Sequence, residues 1–219
     1  MAAAEELRQW RRAERSRLLA LRAAMPQAEH REKTAAITQL LVAGFEILRR
    51  GVIGYCWPFK AEPDPRFAVR HFRDHGARAA LPVVVAKQSP LEFREWWPGV
   101  ATSAGVFDLP VPEGTDVVTP DALLVPPVGF DEGGFRLGYG GGYFDRTLAS
   151  IQPQPLAIAV AFEICRMPTI HPQWHDIPMD FVVTERGIHH VGRGLTAVST
   201  GRANALAREI LATRSRTSD

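Results

Sequence analysis

One short segment of the chain concentrates residue types that bind phosphate. Residues 138–142 contain four glycines, with Arg136 before them and Tyr143 and Asp145 after them. Closely spaced glycines let backbone N–H groups point toward one ligand at positive φ, and a helix that begins at Tyr143 would direct its first amides to the same point. The segment is therefore predicted to bind an anion, and phosphate fits best.

Two common nucleotide-binding motifs do not fit this segment. No Gly-Lys-Ser/Thr follows the glycines, which excludes a P-loop, and the order Gly138-x-Gly140-Gly141-Gly142 lacks the spacing of a dinucleotide fingerprint. A flexible turn is the alternative interpretation of three consecutive glycines. The cation, the aromatic ring and the carboxylate within ten positions favour a binding site over that alternative.

The elements around this segment alternate between helix and strand. Helical periodicity is present at residues 5–24, 27–50, 64–75 and 143–150, and a weak helical pattern is present at 205–211. Strand patterns are present at residues 52–57, 79–85, 91–96, 122–125 and 155–162, with 181–184 as the last strand. These patterns predict an α/β fold with three layers, α/β/α, around a mostly parallel sheet, and an N-terminal helical hairpin. Ligands bind at the carboxyl ends of the strands in such sheets, and the glycine-rich segment follows the strand at 122–125.

Length and composition bound the class of protein. A chain of 219 residues with 46% hydrophobic content can bury a substantial core, so residues 1–200 are predicted to form a single domain, and residues 201–219 a weakly helical or disordered tail. The formal net charge of +2 gives no sign of nucleic-acid binding. Without an apolar span of about 20 residues or a secretory signal, we expect no membrane contact and a cytoplasmic protein. We expect a monomer, with an oligomer as the open alternative.

The chain resembles one enzyme family through the sequence GFRLGYGGGYFDR at residues 134–146. This stretch is similar to the signature of the 5-formyltetrahydrofolate cyclo-ligases, also called methenyltetrahydrofolate synthetases, which is approximately Gly-x-Arg-Leu-Gly-x-Gly-x-Gly-Tyr-Tyr-Asp-Arg. The likeness extends to Glu62 and to Asp176, and it covers residues 8–188. It implies an enzyme that converts 5-formyltetrahydrofolate and ATP to 5,10-methenyltetrahydrofolate, ADP and phosphate with Mg²⁺. In that reaction ATP phosphorylates the formyl oxygen, N10 attacks the activated carbon, and phosphate leaves.

The resemblance also implies a set of site residues. The ATP-binding residues would be Arg11, Arg15, Arg136, Leu137, Gly138, Tyr139, Gly140, Gly141, Gly142, Tyr143 and Phe144, and the catalytic ones Arg136 and Tyr143. Asp145 and Asp176 would hold Mg²⁺, a hard cation that prefers carboxylate oxygens. The folate-binding residues would be Trp57, Glu62, Tyr139, Gly140, Gly141, Gly142 and Tyr143, with the Glu62 carboxylate accepting hydrogen bonds from the pterin ring.

Four positions differ from the family pattern and keep other interpretations open. Arg11 stands where the family has lysine, Pro65 where it commonly has threonine, Gly141 where some members have lysine, and Phe144 where tyrosine is common. One alternative is a diverged member that binds a folate or a nucleotide without catalysis. Another is a protein similar to phosphosugar isomerases or CoA-transferases, because a similar sheet supports several chemistries.

Several site residues also have purely structural interpretations. The Asp145 carboxylate could simply offset the dipole at the start of its helix. Trp57 could be a core aromatic residue, and Glu62 an acid on a surface loop. Arg11 and Arg15 lie one helical turn apart, so they could form a solvated cationic face.

Overall fold

A large central sheet organises the protein, and the computed structural model describes residues 2–216. The helices are α1 (Ala2–Ala23), α2 (Gln27–Gly44), α3 (Arg66–Asp74), α4 (Tyr143–Ser150) and α5 (Thr200–Arg216). The strands are β1 (Val52–Tyr55), β2 (Arg78–Val83), β3 (Glu92–Trp96), β4 (Thr102–Ala104), β5 (Pro110–Pro112), β6 (Ala122–Val125), β7 (Gly129–Asp131), β8 (Arg136–Leu137), β9 (Leu156–Val160), β10 (Arg166–Met167), β11 (Phe181–Thr184), β12 (Gly187–Val191) and β13 (Leu195–Val198).

The central sheet has eight strands in the order β13-β12-β11-β9-β6-β1-β2-β3. Strands β11, β9, β6, β1 and β2 pair in parallel, whereas β3, β12 and β13 are antiparallel to their neighbours. The parallel strands are short apolar runs, and all of Leu156–Val160 is buried, as expected for strands covered on both faces. The predicted mostly parallel sheet is confirmed.

Helices and a small sheet cover the two faces of the central sheet. One face carries α2, α3 and α5, which bury residues such as Leu41, Phe72 and Ala203 against the strands. The other face carries α4 through Leu148 and a three-stranded sheet, β10-β7-β8, through Phe130. The layers are therefore those predicted for an α/β/α fold. None of the helices within residues 2–216 has the length and apolar character needed to cross a membrane.

The two predicted N-terminal helices are present, and they pack on different parts of the molecule. Helix α2 lies on the central sheet, whereas Leu18 of α1 packs against Val128 and Leu137 beside the small sheet. In a helix, residues three and four positions apart share one face. The packing of Leu18 therefore brings Arg11, Arg15 and Arg22 toward the glycine-rich segment.

The chain after residue 184 differs from the prediction. Residues 181–184 do not form the last strand, because β12 and β13 continue the sheet as antiparallel strands. The tail at 201–219 was predicted to be weakly helical or disordered, and residues 201–216 are helical as part of α5, whereas residues 217–219 lie outside the described part. Small residues explain the weak signal, since Ala203 and Ala207 are fully buried in α5 and add little to an apolar pattern.

The glycine-rich loop, defined as residues 138–142, connects β8 to α4. Strand β8 forms a hairpin with β7, which continues the chain from β6 in the central sheet. Gly140 has φ +98° and Gly142 has φ +63°, conformations that residues with a side chain rarely adopt. The sequence thus predicts the start of α4 correctly because the glycines end the hairpin where Tyr143 begins the helix.

Candidate active site

A cleft of about 870 Å³ lies where the parallel strands β1, β2 and β6 end. Trp57, Val84 and Pro126, which follow those strands, form part of its wall. Every site residue predicted from the sequence lines this cleft: Arg11, Arg15, Trp57, Glu62, Arg136, Leu137, Gly138, Tyr139, Gly140, Gly141, Gly142, Tyr143, Phe144, Asp145 and Asp176. The fold therefore brings together α1, the loop after β1, the glycine-rich loop and the segment before β11.

The glycine-rich loop presents backbone amides, and Arg15 of α1 places a cation beside it. Within residues 2–216, the amides of Gly138 to Gly142 have no protein acceptor, and the first-turn amides of α4 have none within the helix. The Arg15 Nε donates to the Gly138 carbonyl at 2.6 Å, and a Cβ atom at Gly140 would lie 3.5 Å from the Arg15 guanidinium carbon. Burial, followed by the charges of Arg11 and Arg12, lowers the Arg15 pKa. These donors suit an anion with several oxygen atoms.

The buried Arg136 and the half-buried Asp145 form an ion pair at the start of α4. The Arg136 Nη2 donates to the Asp145 Oδ1 at 2.8 Å, and its Nη1 donates to the Ile177 carbonyl at 2.6 Å. The same Asp145 oxygen accepts the Ile177 amide at 3.0 Å. Burial lowers the pKa of Arg136, and the charges of Asp145 and Asp176 oppose that effect. Arg136 and the Ile177 amide thus both bind the Oδ1 of Asp145, and neither of these two bonds uses its Oδ2.

Arg11 and Asp176 form a second ion pair at the same end of the cleft. The Arg11 Nη2 donates to the Asp176 Oδ2 at 2.7 Å and to the His171 carbonyl at 2.8 Å. Burial raises the pKa of Asp176, but hydrogen bonds from Arg11 and from the Gln173 amide outweigh it, so the pKa is lower than usual. The Arg11 guanidinium therefore contacts a carboxylate, whereas that of Arg15 contacts the glycine-rich loop.

The two carboxylates are compatible with Mg²⁺ but not with a closed metal centre. Asp145 accepts the amide of Ile177, the residue next to Asp176, so the start of α4 contacts the segment that carries the second acid. The described residues contain no group of three or more His, Cys, Asp or Glu side chains that could hold a metal ion. Mg²⁺ commonly takes only one or two protein carboxylates and completes its shell with phosphate oxygens and water. The donor set fits Mg²⁺ bound together with a nucleotide.

Glu62 supplies a buried acceptor at the other end of the cleft. It is 3% exposed, and its Oε1 accepts the Tyr139 hydroxyl at 2.6 Å while its Oε2 accepts the Phe59 amide at 2.9 Å. Burial raises the pKa of Glu62 to about 7, and the bonds from Tyr139 and Phe59 and the charge of Arg22 oppose this rise. Glu62 is therefore not a surface-loop acid.

Aromatic side chains form walls beside Glu62. Trp57 lies edge-on to Trp96, with ring centroids 5.6 Å apart, and the Arg66 guanidinium lies 4.5 Å from the Trp57 centroid. The ring of Phe59 stacks on that of Phe107, with a centroid distance of 5.4 Å. Flat rings favour stacked or edge-on contacts at such distances, so this end of the cleft suits a planar ligand.

Three residues at or behind the cleft were not predicted from the sequence: Phe59, Phe107 and Arg22. Phe107 lies between β4 and β5, far along the chain, and nothing in the pattern of that hairpin indicates a cleft residue. Arg22 is one of several arginines in α1, yet it is only 1% exposed and donates to the Tyr139 hydroxyl at 2.8 Å. Arg22 is buried because of tertiary packing, and helical periodicity alone does not distinguish it from the other arginines of α1.

The four departures from the family pattern have local explanations. Arg11 is paired with Asp176, and Pro65 directly precedes α3 with φ −76°. A Cβ atom at Gly141 would lie 2.6 Å from the Tyr143 ring, so a larger residue there would displace that ring. Phe144 packs against the buried cluster under α4, where an apolar ring needs no hydrogen bond.

Sequence comparison identifies relatives over most of the chain. A sequence model described as the 5-formyltetrahydrofolate cyclo-ligase family matches residues 7–185. A 5-formyltetrahydrofolate cyclo-ligase of Mycolicibacterium smegmatis is 32% identical over 183 residues, which cover 80% of this chain and 93% of that protein. The 5-formyltetrahydrofolate cyclo-ligase of Escherichia coli K12 is 43% identical over 67 residues, which cover 29% of this chain and 36% of that protein.

Solved structures agree with the sequence relatives. The NMR structure of Aquifex aeolicus 5,10-methenyltetrahydrofolate synthetase matches with a TM-score of 0.72 at 25% identity, covering 86% of this chain and 96% of that one. A 5,10-methenyltetrahydrofolate synthetase from Mycoplasma pneumoniae matches with a TM-score of 0.65 at 23% identity, covering 80% and 98%, and indicates the same fold. The family model spans well over half of the sequence, and the protein from M. smegmatis is more than 30% identical over most of both chains. The chain therefore belongs to the 5-formyltetrahydrofolate cyclo-ligase family.

Proposed function

We propose that the protein catalyses the ATP- and Mg²⁺-dependent cyclisation of 5-formyltetrahydrofolate to 5,10-methenyltetrahydrofolate, with release of ADP and phosphate. One observation carries the proposal: a single cleft joins an amide-rich loop that suits phosphate to a buried carboxylate among aromatic rings that suits a pterin. The names of the relatives support the reaction. They also favour it over the phosphosugar isomerase and CoA-transferase alternatives.

The folate would bind at the end of the cleft that contains Glu62. A pterin ring carries an amino group and an N–H group on one edge, and a carboxylate can accept both. The Glu62 oxygens each retain an acceptor site beyond the bonds from Tyr139 and Phe59. Trp57, Tyr139 and Tyr143 would pack on the flat parts of the substrate, which favours an oriented ring over one that rotates in the cleft.

The ATP phosphates would bind at the glycine-rich loop. The free amides of residues 138–142 and of the first turn of α4 would donate to phosphate oxygens, and Arg15 and Arg136 would add positive charge. Arg11 would contribute after its ion pair with Asp176 rearranges. In this arrangement the formyl group, held at the folate end, would face the γ-phosphate.

The reaction would proceed by two displacements in the enclosed cleft. The formyl oxygen attacks the γ-phosphorus and ADP leaves, so the formyl carbon becomes activated. The N10 nitrogen then attacks that carbon and loses its proton, and the C–O bond breaks to release phosphate and leave the cyclic iminium. Arg15, Arg136 and the loop amides would stabilise the charge on the phosphoryl oxygens, and the hydroxyl of Tyr143 would lie beside the reacting groups. Asp145 and Asp176 would hold the Mg²⁺ ion, which offsets phosphate charge when bound.

The test is formation of the methenyl product, measured by its near-ultraviolet absorbance after the protein is mixed with 5-formyltetrahydrofolate, ATP and Mg²⁺. We expect product only when both ATP and Mg²⁺ are present, and one ADP for each methenyl group formed. Binding of either substrate with no product at high protein concentration would favour the non-catalytic alternative and overturn the proposal.

A further inference from the structure

Arg22 connects three segments around the folate end of the cleft without lining it. Its Nε donates to the Lys60 carbonyl at 2.8 Å, its Nη1 to the Pro127 carbonyl at 3.2 Å, and its Nη2 to the Tyr139 hydroxyl at 2.8 Å. The Lys60 contact fixes an unusual turn, because Lys60 and the following Ala61 have φ of 47° and 56° just before Glu62. One side chain thus holds the turn before Glu62, the entry to β7 and the glycine-rich loop.

The chemistry of arginine sets the direction of these hydrogen bonds. A guanidinium has five N–H donors and no acceptor, so the Tyr139 oxygen must accept from Arg22. The single hydroxyl proton of Tyr139 is then directed to the Glu62 Oε1, 2.6 Å away. The Oε2 already accepts the Phe59 amide, so both Glu62 oxygens act as acceptors. The Arg22 Nη2 also lies 3.7 Å from the Glu62 Oε1 and adds a favourable charge.

We propose that Arg22 is a positioning residue for folate binding: through Tyr139 and the turn at Lys60, it holds Glu62 as an ionised acceptor for the pterin ring. The inference rests on the proposed function, since it takes Glu62 as the pterin-binding carboxylate. It adds a role in recognition for a side chain that does not touch the substrate.

The groups that face Glu62 come from several elements, and only Arg22 among them is a permanent cation. Cys56 lies after β1, and Tyr139 belongs to the glycine-rich loop. The His30 ring of α2 lies 3.1 Å from the backbone carbonyl of Glu62 rather than from its carboxylate. Removal of Arg22 should therefore disfavour the charged form of Glu62, because the opposing effect of burial would remain.

The experiment is equilibrium binding of 5-formyltetrahydrofolate without ATP, followed by tryptophan fluorescence from about pH 6 to about pH 9. In the unchanged protein, affinity should rise with pH through a midpoint near 7, where Glu62 ionises. In Arg22→Gln the midpoint should move up by about 1 to 2 pH units, as expected for loss of an opposite charge at this distance, so that affinity near pH 7 falls about 5- to 50-fold. Arg22→Lys keeps the positive charge, so its midpoint should lie close to that of the unchanged protein.

Two further variants separate positioning from folding. Tyr139→Phe leaves Arg22 in place but breaks its link to Glu62, so its midpoint should also rise. Arg214 is a matched control, because it likewise donates to the Pro155 carbonyl and to a carboxylate, that of Asp180, and does not line the cleft. Arg214→Gln should lower the melting temperature and leave the binding midpoint in place.

Each outcome decides one question. If Arg22→Gln and Tyr139→Phe both bind with the original midpoint, the role of Arg22 is overturned while the proposed function stands. If Arg22→Gln does not fold, Tyr139→Phe alone gives the same decision. If the unchanged protein neither binds 5-formyltetrahydrofolate nor forms product, the proposed function fails and the role of Arg22 fails with it.

Discussion

The buried carboxyl group of Glu62 should make the stability of the protein depend on pH in a specific way. Its pKa is raised from 4.5 to about 7, chiefly by burial. The folded state therefore holds the proton more tightly than the unfolded state between these two values. Stability from this group is fully present below pH 4.5 and is lost as the pH rises through about 7. Glu62→Gln keeps the shape of the side chain but removes the titration.

The size of the effect follows from the two pKa values. Between about pH 5 and about pH 8, proton linkage predicts that the free energy of unfolding of the unchanged protein falls by about 2.5 kcal/mol relative to Glu62→Gln. All other titrating groups are common to the two proteins, so their effects cancel in the difference. Urea unfolding of both proteins at each pH measures that difference directly.

Parallel plots of unfolding free energy against pH for the unchanged protein and Glu62→Gln would contradict this prediction. If the difference in unfolding free energy between the two proteins stays constant from about pH 5 to about pH 8, the Glu62 carboxyl is not buried as the structure has it. A difference that grows in the opposite direction would mean that its partners, chiefly Tyr139 and Arg22, outweigh burial. The same measurement therefore checks the environment on which the role of Arg22 depends.

Four further predictions concern other parts of the molecule. Asp145→Asn should raise the Mg²⁺ concentration needed for turnover more than it lowers the melting temperature, because the charge is lost and the shape kept; unchanged Mg²⁺ dependence would remove Asp145 from the metal site. At Gly142, with φ +63°, alanine should cost about 1–2 kcal/mol in the free energy of unfolding, whereas asparagine, which tolerates this conformation, should cost less; equal losses in urea unfolding would contradict this. Arg11→Lys should retain turnover, since lysine is usual in the family, and complete inactivity would mean that the pair with Asp176 is essential. Ala207→Leu should destabilise α5 by about 1–3 kcal/mol in urea unfolding, and Ala212→Leu on the exposed side of the same helix should not.

The sequence predicts elements best where a short, patterned segment is bounded by glycine, proline or a charged residue. The bounds of Ala122–Val125, Tyr143–Ser150 and Phe181–Thr184 agree with the structure residue for residue. Each is a short, strongly patterned segment next to a chain-breaking residue or a charge. The glycine-rich loop was predicted to be an anion site for a similar reason, because Arg136, the glycines and Asp145 are local in sequence, and this assignment stays a prediction.

Elements without an apolar pattern were not predictable in this way. Helix α5 buries Ala203 and Ala207, whose small side chains leave little periodic signal. Strand β12 contains two consecutive histidines, His189 and His190, and lies second from the edge of the sheet, between β13 and β11, so its sequence lacks the apolar character of the central strands.

Side-chain partners depend on tertiary packing and were the least predictable feature. Arg11 and Arg15 look equivalent in sequence, yet the first pairs with Asp176 and the second with the glycine-rich loop. Arg22 resembles its exposed neighbours until the packing of Leu18 turns that face of α1 toward the cleft. The proximity of the Arg22 guanidinium to the Glu62 carboxylate is visible only in the folded structure.

If ATP phosphorylates the formyl oxygen of the folate, that oxygen must leave in the released phosphate, and its fate can be followed with an isotope. The substrate is prepared with oxygen-18 in the formyl group, and the released phosphate is examined by mass spectrometry after turnover with ATP and Mg²⁺. We expect the heavy oxygen to appear in the phosphate, one atom for each methenyl product. Unlabelled phosphate released alongside product would contradict it, because the phosphoryl group would then have passed to water rather than to the substrate.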